Sequence, residues 1–193
     1  MKNTIRAIAV LAFVVALGSV CFAQTTSTIP VKAVINASTG LSVSIWRITG
    51  STWAEDSEIN FGTLTLDPTY QIFRSASYYA LEVAVNSNAT NWTLRHTANS
   101  VASGTNNLNS NINVTFVRQI DDTTSADLTG GKVSYANSNA KQYTKADFAL
   151  GGWMRIYYGL ATGSGDNSGV SVITSSKAAG NYAGSVVLTL TTS

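Results

Sequence analysis

The sequence predicts an all-β fold: a single antiparallel β-sandwich of the Ig-like, Greek-key type, with about eight strands, behind an N-terminal export signal. Three observations predict it. The chain beyond residue 23 is rich in Thr, Ser, Asn, Gly and Val and poor in Leu, Glu and Lys, which disfavours helices and suits strands joined by polar turns. Apolar and polar residues alternate with a period of two along several segments. Turn-forming clusters separate those segments, among them Asn86-Ser87-Asn88, Ser103-Gly104-Thr105-Asn106-Asn107 and the run from Gly163 to Gly169.

At the N-terminus, Lys2 and Arg6 precede an almost wholly apolar stretch from Ala7 to Val20, the pattern of a bacterial-type signal peptide. Cys21-Phe22-Ala23 carries small residues at both ends, so cleavage is expected after Ala23. This divides the chain into a signal peptide, 1–23, and one domain, 24–193. The apolar run is shorter than the roughly 20 residues a bilayer requires, so no transmembrane segment is expected in the mature chain. The expected location is exported: periplasmic, cell-surface or extracellular. The only cysteine, Cys21, falls in the signal, so the mature domain has no disulfide and must be held by its core. About 170 residues suffice for that.

The strands follow in order. Ile29, Val31, Ala33 and Ile35 alternate within a segment, 29–36, that would become the new N-terminal strand. Leu41, Val43 and Ile45 share one face while Ser42 and Ser44 share the other. A short strand fits Glu58 to Leu64. Tyr79, Leu81, Val83 and Val85 alternate against Glu82, and Trp92, Leu94 and His96 against Thr93, Arg95 and Thr97. Ile112, Val114 and Phe116 make the next inward set. The stretch from Asp121 to Ala149 is least regular, with an edge hairpin expected around Lys132 to Tyr135 and a helical turn near Thr144 to Leu150. Met154, Ile156, Tyr158 and Leu160 form a further inward set, and Val186, Leu188 and Leu190 the last.

Lys2 and Arg6 are two of 12 basic residues, so the remainder balances its 10 acidic residues and is formally neutral. A neutral surface with few charges gives nucleic acid no electrostatic footprint. Catalytic machinery is sparse as well. His96 is the sole histidine and reads as a packed or rim residue. Glu55, Asp56 and Glu58, and separately Asp121 and Asp122, read as solvated loop charges, with an acid-base site on the first group as the enzymatic reading. No catalytic residue, metal or cofactor is expected. Aromatic residues are more informative: alternation directs Trp46, Trp153 and Tyr157 away from the core, with Trp53 in the adjoining loop. Flat rings stack on sugars and anchor protein interfaces.

Three segments resemble bacterial surface domains. Asn91-Trp92-Thr93-Leu94 is similar to the W-x-L tripeptide, with Trp92 and Leu94 as the motif residues. Asn60-Phe61-Gly62-Thr63-Leu64 is similar to a short "FGT" strand, and Gly180 to Leu190 to a closing "G-x-Y-x-G-x-V-x-L-x-L" strand. The chain thereby resembles WxL-type cell-surface β-domains and, more distantly, spore coat protein U and pilin-like β-sandwiches. The closing strand here carries no tryptophan. The resemblance implies attachment to a cell surface or assembly into a surface structure. The leading expectation is an exported, non-enzymatic structural or adhesive protein, a fibre or surface-layer subunit assembled by β-strand pairing through Ile29, Val31, Ala33 and Ile35. The alternative is a glycan- or peptidoglycan-binding module using Trp46, Trp53, Trp153 and Tyr157. Partners are then further copies, or cell-surface proteins and glycans.

Overall fold

Alternation of side chains needs two sheets to close a core between them, and the computed structural model, which describes residues 39–119, 125–148 and 153–192, arranges its strands in that way. The described residues are all-β, and the pairings between their strands are antiparallel. The described residues fall within one unit, Asn36–Ser193. The predicted signal peptide, the strand 29–36 with Ile29, Val31, Ala33 and Ile35, and the acidic pair Asp121-Asp122 lie outside the described residues. Among the described residues no helix is long and apolar enough to cross a membrane.

Thirteen strands are described, five more than about eight, the surplus being mostly strands of two to five residues. They are β1 (Thr39–Thr49), β2 (Thr52–Asp56), β3 (Thr65–Asp67), β4 (Ile72–Arg74), β5 (Tyr78–Ser87), β6 (Trp92–Ser103), β7 (Asn106–Asn107), β8 (Ile112–Gln119), β9 (Ser125–Ser134), β10 (Lys141–Thr144), β11 (Trp153–Leu160), β12 (Ile173–Thr174) and β13 (Ala183–Thr192). A six-stranded sheet has the order β2-β1-β5-β11-β8-β9. A second sheet has the order β10-β6-β13, with β7 also on β6, and a small third sheet has the order β12-β4-β3.

The core lies between the first two sheets and is built from the residues whose alternation predicted it. Tyr79, Leu81 and Val83 of β5, Val114 and Phe116 of β8, and Met154, Ile156 and Tyr158 of β11 meet Trp92 and Leu94 of β6 and Tyr143 of β10. Along β11 every second residue is buried. Phe116 packs on Tyr143 with ring centroids 5.1 Å apart, and Trp92 meets Phe148 edge-on at 4.8 Å. Burying this apolar surface, worth about 25 cal/mol per Å² removed from water, is what holds a domain with no cysteine among the described residues.

Two expectations need correction, Glu58 to Leu64 as a strand and Trp53 as a loop residue. Glu58 to Leu64 is a loop. Asn60 occupies the backbone by other means: its Oδ1 accepts the Gly62 N–H at 2.8 Å, its Nδ2 donates to Glu58 at 2.8 Å, and its carbonyl accepts the Tyr79 hydroxyl. Gly62 has φ +68°, which a side chain would strain. The edge hairpin expected around Lys132 to Tyr135 is present: β8 and β9 are consecutive, pair antiparallel, and β9 is the last strand of its sheet. Lys132 to Ser134 ends β9, an edge strand on β8, and the chain crosses through a 3₁₀ turn (Ala136–Ser138) to β10 in the other sheet. Trp53 lies within β2, opposite Ile48. The expected helical turn is present as a 3₁₀ turn, Lys145–Asp147, where the Asp147 carboxylate accepts the Thr144 N–H at 2.7 Å.

Candidate functional site

The register of the large sheet brings the outward aromatic residues together. Trp46 stands opposite Ala80, Tyr157 also stands opposite Ala80, and Trp53 stands opposite Ile48, so all three share the face turned away from the core. Ala80 and Ile48 are nonetheless fully buried, because the large rings lie across them. The centroids follow one another at 6.4 Å from Trp46 to Trp53, 6.5 Å from Trp53 to Tyr157 and 6.4 Å from Tyr157 to Tyr78. Trp53 and Tyr78 are each 41 % exposed, while Trp46, Trp153 and Tyr157 are half-buried. The Trp46 Nε1–H, shielded from solvent, finds no acceptor among the described residues.

Arg155 ties the fourth predicted aromatic to the others. Its guanidinium lies 5.2 Å from the centre of the Trp53 ring and 4.5 Å from that of Trp153. Glu82, its cross-strand neighbour, accepts from Nε at 2.8 Å and from Nη2 at 2.7 Å. The charges thus cancel within the cluster, and the guanidinium plane is held for stacking. Tyr78, Glu82 and Arg155 are members that were not singled out from the sequence. Parity could have found Arg155, which lies between Trp153 and Tyr157 on the same side of β11.

A second feature is an unprotected sheet edge. Long edge strands normally carry charges, bulges or little length, because their free N–H and C=O groups recruit other strands. Three of the four edge strands in the two main sheets are blunted so, although β2 pairs only with residues 45–49 and leaves residues 39–44 of β1 unpaired on that side among the described residues. β2 is five residues long with Glu55 and Asp56, and β10 is four residues long with Lys141. β9 carries an Asp127–Lys132 ion pair and an interruption in register opposite Phe116. β13 has ten residues, AGSVVLTLTT, with no charge and no proline; it pairs only with β6 among the described residues, and its register shifts only at its start, between Ala183 and Ser185. Its inward Val186, Leu188 and Leu190 are only half-buried, and its outward Val187 is 46 % exposed.

In β1, likewise, Leu41 and Ile45 are half-buried and Val43 is 41 % exposed, where alternation predicted a core face. The small sheet has too few strands to cover a six-stranded neighbour. Tyr143 of β10 lies against Phe116 of β8, so β10 covers the β8 side and the order β10-β6-β13 leaves β13 toward β5 and β1. Thr39 also lies at the same end as the end of β13, since Thr39 pairs with Ser87 and Thr192 with Trp92, across the short link Asn88–Asn91.

The remaining candidate residues are used elsewhere. His96 is buried in the core: its Nδ1 donates to the Ser138 carbonyl at 2.9 Å, and its Nε2 accepts the Tyr158 hydroxyl at 2.7 Å. Burial pushes its pKa down, outweighing the Ser138 bond, so the imidazole is neutral. Glu55 lies on the outer face opposite Trp46, whereas Asp56 lies on the other face near Arg47, at 3.8 Å, so the acidic group does not converge. In the Gly163–Gly169 loop, Asp166 accepts the Gly163 N–H at 2.8 Å and Asn113 Nδ2 at 2.8 Å. Burial pushes the Asp166 carboxyl up, but these bonds and that from Thr162 outweigh it and leave its pKa lowered. Among the described residues no three His, Cys, Asp or Glu side chains gather where they could hold a metal ion. Trp92 and Leu94 are core residues. Comparison with known proteins returns nothing similar: no family model, curated protein or solved structure matches the chain.

Proposed function

We propose that this chain is an exported, non-enzymatic structural or adhesive subunit of a surface assembly, built on an Ig-like, Greek-key sandwich and joined to further copies by strand pairing. The observation that carries this reading is the edge of β13, ten residues long, uncharged and half-covered, where the edge strands β2, β9 and β10 are each short or charged. The occupant is the alternating segment Ile29–Asn36 of a neighbouring copy, with Ile29, Val31, Ala33 and Ile35 completing the partly covered inner face. The test compares the mature chain from Gln24 with one lacking residues 24–35, by electron microscopy and light scattering. Fibres or higher oligomers are expected from the first and monomers from the second. Assembly that persists after the deletion would remove this mode of pairing.

A second reading, glycan binding, is favoured by the gathering of Trp46, Trp53, Trp153 and Tyr157 around Arg155 on one face. Stacking rings beside a planar guanidinium and a carboxylate suit a ligand with apolar C–H faces and a hydroxyl rim. Alanine at Trp46 and Trp153 is expected to abolish retention on insoluble cell-wall polysaccharide while leaving the far-ultraviolet circular dichroism spectrum intact. Undiminished retention would sink the assignment of those residues.

A further inference from the structure

The row of rings ends at a cavity. Tyr78, the last ring in the row, also lines a pocket of about 220 Å³ together with Arg74, Ser75, Ser77, Gly159 and Thr162. Gly159 continues the outward face of β11 beyond Tyr157, and its missing side chain leaves the cavity open beside Tyr78: a Cβ there would meet only the Tyr78 Cβ, at 3.5 Å. The volume falls below the roughly 300–1,000 Å³ of clefts that enclose drug-sized ligands, which leaves room for one ring.

The polar groups around the cavity suit a neutral, hydroxyl-bearing ring. Ser75 Oγ donates to the Ser77 carbonyl at 2.9 Å and accepts the Ser77 N–H at 3.2 Å, which leaves it one lone pair, and Thr162 Oγ1 donates to the Ser164 carbonyl at 3.0 Å, which leaves it free to accept from an incoming hydroxyl. The Arg74 charge is paired with Asp67 at 3.5 Å through Nη1, and its guanidinium lies 4.2 Å from the centre of the Tyr70 ring, while its shielded Nε–H has no acceptor among the described residues. Arg155 and Glu82 cancel in the same way, and Glu55 adds a negative charge beside Trp46. An anionic ligand would therefore meet no uncompensated cation along the row.

We propose that cavity and ring row form one site that captures the end of a neutral oligosaccharide, its terminal pyranose in the cavity and the following rings along Tyr78, Tyr157 and Trp53. This rests on the glycan reading and adds to it a requirement for a chain end. A pocket with room for one ring, lying where the row of rings ends and lined by Gly159 and Thr162, accepts a terminus, whereas an open platform accepts any stretch of chain.

The full mature chain is titrated by calorimetry with linear neutral hexasaccharides of glucose, xylose and N-acetylglucosamine, and with cyclic glucans that have no end. Binding to at least one linear probe, at least ~10-fold weaker binding to the cyclic ones, and a loss of similar size on Gly159→Gln are expected. Gly159→Ala should bind as the wild type, because the first added carbon has room, and its circular dichroism controls for the fold. Equal binding of cyclic and linear probes, or unchanged binding by Gly159→Gln, would overturn end capture; Trp53→Ala would then still report whether the rings bind glycan. Absence of binding to every probe would overturn the glycan reading and the inference with it.

Discussion

His96 shows how a single buried polar side chain can set the acid response of the whole fold. The carbonyl of Ser138 can only accept, so Nδ1 carries the proton and Nε2 is left to accept from Tyr158. Phe116 stands edge-on to the imidazole at 5.2 Å and Tyr158 stacks on it at 6.2 Å, so protonation would place a charge among apolar rings. The folded pKa lies below the ordinary 6.5, so the unfolded chain binds the proton first. The contribution to stability is therefore complete above about pH 6.5 and is lost as pH falls through the folded value. The thermal midpoint is expected to decline as pH falls below about 6.5, and His96→Gln, less stable at neutral pH, should flatten that decline. Tyr158→Phe, which strands Nε2 without a donor, should cost about 1–3 kcal/mol in urea unfolding. A midpoint independent of pH in the wild type would contradict this account.

At the scale of the element, the edges decide what the sandwich can join. The start of β13 depends on Gly184, where the register with β6 shifts between Ala183 and Ser185. A Cβ there would approach the Ser100 carbonyl oxygen to 2.7 Å and the Val101 Cα to 2.8 Å, both backbone atoms that cannot step aside. Gly184→Ala is expected to destabilise by about 1–3 kcal/mol, and hydrogen exchange should show the first residues of β13 losing protection before the rest. Uniform protection would mean that the shift is not needed for docking. The elements with strict period-two patterns were legible in the sequence: β5, β6, β8 and β11 turn the residues their alternation selects into the core, and those of β13 pack against it half-buried. The outward direction of Trp46, Trp153 and Tyr157 followed from the same parity. What could not be read was anything set by distant pairing. Glu58 to Leu64 alternates like a strand, but the side chain of Asn60 and the hydroxyl of Tyr79 take its backbone groups. The cavity joins residues 74–78 to 159–162, an adjacency that no local pattern encodes.

Taken whole, the molecule relies on one core rather than on covalent ties. A single cluster of buried residues runs from Leu81 and Val83 in one sheet to Trp92 and Leu94 in the other, and takes in Ile173 of the small third sheet. Unfolding in urea should therefore be one transition, with backbone circular dichroism and calorimetry agreeing on its midpoint. The midpoint should also be the same with and without a thiol reductant once residues 1–23 are removed, since Cys21 is the sole cysteine. Two separated transitions would show that the sheets are coupled less tightly than their shared core implies.

The division of the four tryptophans between the two faces of the large sheet also has an optical consequence. Trp92 sits in the core, whereas Trp46, Trp53 and Trp153 lie on the outer face, with Trp53 the most open. Emission should accordingly hold a short-wavelength component from Trp92 and a longer-wavelength one from the outer three. A dissolved quencher such as iodide would reach Trp53 while sparing Trp92. The chain thus carries two native fluorophore populations, one reporting the integrity of the interior and the other the occupancy of the surface.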